Sequence, residues 1–423
     1  MLKAADAFAE AGYKVRVVST RHTAWADAGD ADIVRRRNGA WSWAVVDYRR
    51  EAGTTYFTSG VRFRGARLIA RSLGARHLNL FGAACGRERV FPELVAKALE
   101  EPADLVYGGG GAVATTAVAG RRMRVPYGID LEDFHLGEHT DSVDARLTRD
   151  LTARIESEVL GSANFLTAGS EAIADAYLEE YGVRPIAINN AFPLPPYVPR
   201  FGEAGWTDRT PDQLPNGAAP AASEHNANGR QEPAPIRLYW FSQTIGPGRG
   251  LEDAVNAVGL AQFPCELHLR GVALPGYVAE LSELAANVAP QLSVFEHAPG
   301  APDEMVELCR DYDIGLGLEE AEVPNRSLCL TNKALTYILA GLAVVLTDTV
   351  GQRPLAETLG EGAVVYPPGD TGTLARGLSA WAHDRHLLGR AKAAAWRAAQ
   401  TRWHWDHEEE KGKLLRIVQS VVK

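Results

Sequence analysis

Apolar residues along most of the chain recur with helical spacing and strand spacing in turn, a pattern that predicts an α/β protein. The first ten positions show helical spacing, and Gly12 is expected to end that helix. Residues 13–20 (YKVRVVST) then predict a buried strand. Since an α/β domain normally opens with a strand and a turn, we interpret Met1 as an internal residue with a first strand upstream. The alternative is a domain that starts on a helix.

Further segments of the first half continue this alternation. Residues 104–107 (DLVY) predict a strand that runs into four glycines, and residues 126–131 (PYGIDL) predict the end of another. Residues 164–168 (NFLTA) predict a third strand, after which Ser170 is expected to cap the helix at 171–180. Strands that alternate with helices in this way are typical of a doubly wound parallel sheet.

The composition changes abruptly between residues 201 and 235, where Pro, Ala, Asn, Gly and Glu dominate. Such a segment buries too little apolar surface to offset the entropy of ordering it, so we expect a disordered insertion. The alternation then resumes, with strands at 236–241, 314–318 and 342–347 and a helix at 332–340. The predicted organisation is an N-terminal domain at 1–200, the insertion at 201–235, a C-terminal domain at 236–400, and a C-terminal helix at 401–423 for which packing on the N-terminal domain is one interpretation.

Charge and composition exclude some classes of protein. Lys plus Arg number 44 and Asp plus Glu number 53, a net charge of −9, whereas a nucleic-acid-binding protein usually carries a basic face. The four cysteines lack metal-ligand or disulfide spacing, and neither a spanning apolar run nor a signal peptide is present. We therefore expect a cytoplasmic protein without a nucleic-acid partner; peripheral membrane contact and the oligomeric state stay open.

The first candidate site is the segment SQTIGPGRG at residues 242–250, directly after a predicted strand. A strand, a glycine-rich turn and a helix start bring backbone N–H groups and the positive end of a helix dipole to one point, which suits a phosphate. Arg249 adds a cation beside Gly248, and Ser242 and Thr244 precede them. A plain turn is an equally good interpretation.

The second candidate site is the segment NRSLCLTNKALTYILAGLAVV at residues 325–345, which contains the start of the helix predicted at 332–340. Lys333, next to Asn332, could reach a diphosphate oxygen, and the hydroxyl of Thr336, one turn further on, could meet a ribose. A surface lysine on an ordinary helix is the alternative that a lone Asn-Lys pair favours.

The third candidate site is DLEDFH at residues 130–135, at the end of a core strand, where open α/β sheets place their active clefts. Carboxylate and imidazole groups here could act as general base on an acceptor hydroxyl. The candidate catalytic residues are Asp130, Glu132, Asp133 and His135. A solvated loop of charges, continued by Glu138 and His139, is the alternative.

The Asp-Tyr-Asp sequence at residues 311–313 looks like a metal-binding DxD motif. It lies at the entrance to a predicted strand, where aspartates commonly end a helix-to-strand turn. We therefore predict neither a metal site nor a cofactor.

Taken together, these segments resemble the family 4 glycosyltransferases over nearly the whole chain apart from the insertion. The strongest stretch is NKALTYILAGLAVVLTDTVGQRPLAETLGEGAVVYPPGD at 332–370, which is similar to the donor-site helix, buried strand and following loop of that family. GPGRGLEDAVNAV at 246–258 is similar to its phosphate-binding turn and helix. PYGIDLEDFHLGE at 126–138 and TAGSEAIADAYLEEYG at 167–182 are similar to acceptor-side segments of its N-terminal domain.

The resemblance implies a GT-B fold, with two Rossmann-like doubly wound domains facing a cleft, and a metal-independent, retaining transfer of a sugar from a nucleotide-sugar donor to a saccharide or other hydroxyl acceptor. Arg249 and Lys333 would neutralise the departing diphosphate. A role in polysaccharide or glycoconjugate biosynthesis would follow, while the sugar, the base and the acceptor stay open. The family also starts with a strand and a glycine-rich loop, in agreement with an internal Met1.

The sequence departs from the family in its donor site. The family often carries two glutamates separated by seven residues, and here those positions are Leu328 and Thr336. Glu319, Glu320 and Glu322 lie nearby and are candidate substitutes. A second basic residue of the phosphate site is also missing, with Thr244 as the nearest match.

Two other functions compete with a glycosyltransferase. A nucleotide-sugar 2-epimerase uses the same architecture without an acceptor. A GT-B pseudoenzyme that only binds a partner or a glycan would explain the missing glutamates. An oxidoreductase is disfavoured, because no strand leads into GxGxxG followed by an acidic residue.

Overall fold

The computed structural model describes residues 1–23, 27–37, 39–138, 142–199, 234–320 and 323–422. The helices are α1 (Leu2–Glu10), α2 (Asp27–Arg37), α3 (Thr54–Leu73), α4 (Leu80–Arg87), α5 (Phe91–Ala98), α6 (Val113–Met123), α7 (Val143–Val159), α8 (Glu171–Tyr181), α9 (Leu251–Ala261), α10 (Tyr277–Val288), α11 (Met305–Cys309), α12 (Pro324–Leu328), α13 (Asn332–Leu339), α14 (Arg353–Leu359), α15 (Thr371–His383), α16 (Arg385–Thr401) and α17 (Lys413–Val421). The strands are β1 (Arg16–Arg21), β2 (Ser42–Asp47), β3 (Val106–Gly109), β4 (Tyr127–Leu131), β5 (Phe165–Ala168), β6 (Ile186–Ala187), β7 (Ile236–Ile245), β8 (Cys265–Ala273), β9 (Leu292–His297), β10 (Ile314–Gly317), β11 (Ala343–Thr347) and β12 (Ala363–Tyr366). The predicted insertion lies outside the described residues, except for its last two positions. His139 and Glu322 also lie outside them.

The chain divides into two compact units. Unit 1 consists of Met1–Asn190, Val323–Cys329 and Asp406–Lys423, and unit 2 of Ala191–Glu322 and Leu330–Trp405. Unit 1 is thus assembled from three separate stretches of sequence. Among the described residues, no helix has the length and apolar character needed to cross a bilayer.

Unit 1 is built on a parallel sheet in the order β3-β4-β5-β6, accompanied by the parallel pair β1-β2. Ile129 and Leu131 of β4 are fully buried and pack with apolar residues of α4, α6, α7 and α8. The Ser170 side chain accepts a hydrogen bond from the Ile173 amide at 3.1 Å, which confirms the predicted N-cap of α8.

Unit 2 is built on a six-stranded sheet in the order β12-β11-β10-β7-β8-β9, and the ladders between these strands are parallel. All residues of β11 are buried, as its continuous apolar sequence predicts for a central parallel strand. β7, the first strand of the unit, lies between β8 and β10. The chain runs from β7 to β8 and β9 on one side, and then crosses back to β10, β11 and β12 on the other side. Parallel sheets open a crevice at such a point, next to the carboxyl ends of the strands.

Three of the strands predicted above differ from the prediction by two residues or more. β1 begins at Arg16, not at residue 13, ends at Arg21, and is half-buried and not fully buried as predicted. β3 spans Val106–Gly109, not 104–107, so two of the four glycines lie in the strand. β7 continues to Ile245, so Ser242 and Thr244 lie in the strand and the turn begins only at Gly246. The extra length is held by pairing with β8, which shifts register between Phe241 and Thr244; this pairing does not depend on a continuous apolar run and leaves little trace in the sequence.

Candidate active site

The carboxyl ends of β7 and β10 carry the candidate donor site of unit 2. The turn at residues 246–250 follows β7, and Glu319 and Glu320 follow β10 closely. The Gly250 amide donates a hydrogen bond to Glu320 Oε1 at 3.1 Å, so the two loops meet. The structure therefore brings two of the predicted segments to the point where a doubly wound sheet places its ligands.

The backbone conformation of this turn requires glycine at two positions. Gly248 and Gly250 adopt φ of +71° and +69°, in the left-handed region that favours glycine. A Cβ at Gly250 would also come within 3.0 Å of Leu318 Cβ. Arg249, between them, is half-buried, as are Ser242 and Thr244 at the end of β7.

Carboxylates surround the start of α9. Glu252 Oε1 accepts a hydrogen bond from the Tyr277 hydroxyl at 2.6 Å, and Asp253 Oδ2 accepts one from the Gly369 amide at 2.9 Å. With Glu320, three acidic side chains therefore lie beside this helix start, where the helix dipole favours negative charge. An incoming phosphate would meet these charges together with the cation of Arg249.

Lys333 is held in an ion pair at the start of α13. Its Nζ lies 2.7 Å from Glu319 Oε1, and the two side chains are only 13% and 5% exposed. The Glu319 amide donates to Thr347 Oγ1 at 3.0 Å, which fixes the carboxylate against β11. Both groups predicted to meet a diphosphate, Lys333 and the turn before α9, are thus bonded to carboxylates of one short segment after β10.

The remaining predicted donor residues, Asn332 and Thr336, have different surroundings. Asn332 is exposed at the start of α13, next to Lys333. Thr336 is fully buried, and its hydroxyl donates to the Asn332 carbonyl at 2.7 Å. This geometry does not favour the predicted contact with a ribose, because the Thr336 hydroxyl is already bonded within its own helix.

Asp313 of the DxD-like sequence has a structural role, because its carboxylate bonds neighbouring elements of unit 2. Its Oδ2 accepts a hydrogen bond from the Arg237 amide at 3.0 Å, and its Oδ1 lies 3.4 Å from Lys392 Nζ. These bonds fasten the entrance of β10 to β7 and α16. In the part of the chain that the structure describes, no three His, Cys, Asp or Glu side chains are grouped so as to hold a metal ion.

The carboxyl end of β4 carries the candidate acceptor side of unit 1. Asp130 Oδ1 accepts a hydrogen bond from Thr167 Oγ1 at 2.7 Å, and Thr167 Oγ1 is 2.8 Å from the Tyr107 hydroxyl. Glu132 is exposed and accepts a hydrogen bond from the Asn190 side chain. Although part of the side chain reaches solvent, protein atoms surround its carboxyl group. This desolvation, followed by the nearby charge of Asp130, raises the pKa of Glu132 above its usual value.

Lys3 of α1 belongs to the same cluster. Burial lowers its pKa to about 8, although the carboxylates of Glu132, Glu410 and Asp130 act in the opposite direction. Glu410 is itself fully buried, and its Oε1 accepts a hydrogen bond from the Asn189 side chain at 2.9 Å. A lysine and three carboxylates therefore share the carboxyl edge of this sheet.

Asp133 is turned toward α12. Its Oδ1 accepts a hydrogen bond from Asn325 Nδ2 at 2.8 Å, while Asn325 Oδ1 accepts one from the Phe134 amide at 2.7 Å. Cys329 Sγ also lies 3.4 Å from Asp133 Oδ1. Asp133 therefore fastens the loop after β4 to the segment Val323–Cys329 within unit 1.

His135 is a buried support of the same loop. Its side chain is 4% exposed, and its Nδ1 lies 2.6 Å from Glu156 Oε1. The hydroxyls of Tyr177 and Tyr181 donate to Glu156 at 3.2 and 2.8 Å, so α7 and α8 close around the pair. Burial acts to lower the pKa of His135, but the hydrogen bond and charge of Glu156 outweigh it and raise that pKa overall.

Several residues of these clusters were absent from the sequence prediction. Thr167 and Asn190 follow the rule that located Asp130, since they lie at or just beyond the carboxyl ends of β5 and β6. Glu156 has a local signal, an acidic residue on the apolar face of a helix beside Ile155 and Val159. Lys3 and Asn325 have no such signal, because only the tertiary fold brings them to the loop after β4.

The whole chain is similar in structure to solved glycosyltransferases. HepE of Anabaena, solved with UDP and glucose, matches with a TM-score of 0.61 and 17% sequence identity over 96% of this chain and 98% of HepE. Sucrose-phosphate synthase of Thermosynechococcus elongatus matches with a TM-score of 0.55 and 16% identity over 79% of this chain and 80% of that protein. A glycosyltransferase of Rickettsia africae matches with a TM-score of 0.56 and 14% identity over 97% of this chain and 99% of that one.

The fold is GT-B. No protein-family model and no curated protein sequence matches the chain, so this likeness lies at the level of structure. In this GT-B chain the predicted donor residues lie in unit 2, and the predicted acceptor-side residues lie in unit 1.

Proposed function

We propose that the protein is a glycosyltransferase that moves a sugar from a nucleotide-sugar donor to a hydroxyl acceptor. Its GT-B fold extends over 96% of the chain in the match with HepE, which has been solved with UDP and with UDP-glucose. The observation that carries the proposal lies at the switch point of the sheet in unit 2, where the Gly250 amide of the glycine turn bonds Glu320 and Lys333 bonds the neighbouring Glu319.

In the proposed donor site, Arg249 and Lys333 neutralise the diphosphate that leaves, while the turn at Gly248 and the ends of β7 at Ser242 and Thr244 border it. Stabilisation of developing leaving-group charge by fixed cations is an effective form of catalysis. Asn332 is exposed beside Lys333 and is the better placed of the two polar residues of α13 to meet the donor. Thr336 then acts by holding the first turn of the helix.

In the proposed acceptor site, Asp130 and Glu132 are the candidate general bases. The raised pKa of Glu132 makes it a stronger base than an ordinary glutamate near neutral pH. Asp133 and His135 are positioning residues, since their side chains bond Asn325 and Glu156 and so hold the loop that carries Glu132.

We further propose the finer assignments that the family 4 resemblance implies. These are retention at the anomeric carbon, catalysis without a metal ion, a cytoplasmic location, and a part in polysaccharide or glycoconjugate assembly. Measuring the anomeric configuration of the product by NMR tests retention, and turnover in excess EDTA tests independence of a metal.

Thermal melting against UDP, GDP, ADP and dTDP and their common sugar conjugates tests the donor assignment. A ligand at a hundred times its dissociation constant stabilises by about 2.7 kcal/mol, which shifts a melt visibly. We expect a shift with one nucleotide class that is lost in Lys333→Ala and retained in Arg376→Ala, an exposed cation of α15 in the same unit. A shift that Lys333→Ala leaves unchanged would remove Lys333 from the site.

A GT-B protein without transferase activity is the second candidate function. The specific observation that favours it is the occupation of Lys333 and the Gly250 amide by carboxylates. The absence of any nucleotide-induced shift would support it. A 2-epimerase is distinguished by conversion of the nucleotide-sugar in the absence of any acceptor.

A further inference from the structure

Helix α3 of unit 1 has its large apolar residues on the outside. The buried residues of the helix are Ser59, Gly60, Arg67 and Ala70, which are small or polar. Its exposed apolar residues are Phe57 (69%), Val61 (54%), Leu68 (64%), Ile69 (49%) and Leu73 (63%). A helix that only completes a soluble core shows the reverse distribution.

The exposed apolar residues lie on the solvent side of the helix as a stripe of three residues and a separate pair. At 100° per residue, Phe57, Val61 and Leu68 fall within about 40° of one another on the helix surface. Ile69 and Leu73 lie about 80° to 120° further round the helix, beyond Thr58, Gly65 and Ser72, and Arg64 and Arg71 border the stripe on its other side. We call the five apolar residues, together with Arg64 and Arg71, the α3 face.

The surroundings of the α3 face are basic in an otherwise acidic protein. Residues 52–87 contain six arginines and one histidine but no aspartate or glutamate, whereas the whole chain carries a net charge of −9. Four of these arginines contact carboxylates from other segments: Arg62 pairs with Glu93, Arg67 and Arg71 pair with Asp144, and Arg87 lies 3.9 Å from Glu138. Arg64 and Arg76 are exposed.

We propose that the α3 face docks unit 1 on an anionic phospholipid bilayer. An apolar stripe bordered by arginines matches the two components of such a surface, since the apolar side chains enter the boundary between headgroups and acyl chains and the guanidinium groups meet the phosphates. The contact places the helix in the plane of the interface and needs no spanning segment. This inference does not depend on the proposed transferase activity.

Two other occupants fit the face less well. A second copy of the chain would bring the arginines of residues 52–87 against the same residues of its partner, and such like-charge contacts are unfavourable. The segment 200–233 of this chain offers few large apolar residues to cover the stripe.

Sedimentation of the full chain with vesicles tests the proposal. The protein is mixed with vesicles of phosphatidylcholine alone or with about one-third phosphatidylglycerol. We expect binding to the anionic vesicles that weakens as salt is raised, and little binding to the neutral ones. In Phe57→Trp, the tryptophan fluorescence is expected to shift to the blue when anionic vesicles are added.

Matched variants distinguish vesicle binding through the α3 face from nonspecific adsorption through other apolar side chains. Phe57→Ser/Val61→Ser/Leu68→Ser is expected to weaken vesicle binding by at least about tenfold, and Arg64→Gln by about fivefold. The control Leu260→Ser/Val272→Ser removes two comparably exposed apolar side chains of unit 2 and is expected to bind as the wild type does. Melting curves check that each variant is folded.

Three results would overturn the proposal. The first is a wild-type protein that stays in the supernatant with anionic vesicles at low salt. The second is equal loss of binding in the serine triple variant and in the control variant. The third is a dimer in light scattering that the triple variant abolishes while vesicle binding persists, which would assign the face to a second copy.

Discussion

Glu319 and Glu320 form hydrogen bonds with the groups that we propose to bind the donor diphosphate. Glu319 bonds the Lys333 ammonium, and Glu320 accepts from the Gly250 amide. These neighbouring carboxylates are the sequence-based candidates to replace the glutamate pair, and they bond the two elements predicted to bind the diphosphate. They fix the cation and the turn before a donor arrives, at the cost of competing with its phosphates.

Replacement of Lys333 should affect both stability and turnover. Lys333→Ala leaves the buried Glu319 carboxylate without its cation, which we expect to cost about 3 kcal/mol of unfolding free energy. It also removes a charge from the leaving group, which we expect to lower kcat by about a hundredfold. The double variant Lys333→Ala/Glu319→Gln should recover most of the stability and none of the turnover. Parallel melting and rate measurements on the three proteins decide, and recovery of both would reduce Lys333 to a structural role.

Replacement of Glu320 should strengthen nucleotide binding. Glu320→Gln removes a negative charge from the start of α9 while the side chain can still accept from the Gly250 amide. We expect the Kd of a nucleoside diphosphate to fall about threefold, the size of one charge at a helix end. Calorimetric titration measures this, with Glu357→Gln, an exposed residue of α14, as the matched control. An unchanged or higher Kd would place the diphosphate away from the Gly250 amide.

Among the elements, the loop after β4 depends most on its neighbours. Asn325 of α12 holds Asp133 and the Phe134 amide, and Glu156 of α7 holds His135. These bonds hold the backbone of the loop in place, and with it Glu132. The orientation of the loop therefore depends on the protonation state of the buried His135–Glu156 pair.

This pair should make the stability of unit 1 depend on pH. The pKa of His135 is raised above 6.5 in the folded protein, so the pair stabilises unit 1 fully below pH 6.5 and loses that contribution as pH rises through the raised value. We expect amide exchange in α7 and α8, corrected for its intrinsic pH dependence, to accelerate over that range. In His135→Gln/Glu156→Gln this acceleration should disappear.

Glu88 supplies an internal control for that experiment. Burial raises its pKa to about 7, although hydrogen bonds from Thr115 and Ala114 act in the opposite direction. A carboxyl group with a raised folded-state pKa destabilises the protein as pH rises from 4.5 to about 7, a lower window than that of His135. The double variant should keep this lower component and Glu88→Gln should remove it. A double variant that still shows a component above about pH 7, beyond the Glu88 window, would exclude the pair as its source.

The elements also show what the sequence can and cannot predict. Periodicity located β4, β10 and β11 and the cap of α8, because burial and capping leave local patterns. It missed the last residues of β7, whose pairing with β8 follows no apolar pattern. At the candidate sites it located Asp130 and Lys333 by their places at strand and helix ends. It named Glu319 as a candidate substitute for a family glutamate. It could not show that Glu319 bonds Lys333 or that Asn325 bonds Asp133, since those bonds exist only in the folded chain.

At the scale of the whole molecule, unit 1 depends on its most distant segment. Leu414 and Val418 of α17 are buried, and Glu410 bonds the Asn189 side chain. A chain that ends at residue 405 should therefore lose protection from exchange in β6 and α8. Unit 2 should keep its nucleotide-induced melting shift, since all its residues remain. A chain that ends at residue 421 retains these contacts and serves as the control, and equal protection in both would show that unit 1 folds without α17.

Because unit 1 consists of three separate stretches, its parts are synthesised at different times. The ribosome releases residues 1–190 first, yet Val323–Cys329 and Asp406–Lys423 emerge only after most or all of unit 2. At ordinary rates of translation the first stretch waits on the order of tens of seconds for its missing pieces. During that wait Asn189 has no Glu410 and Asp133 has no Asn325, while unit 2 can already complete its own sheet. We expect the nascent chain to rely on chaperones over this interval, and cells that make the protein quickly to lose more of it to aggregation.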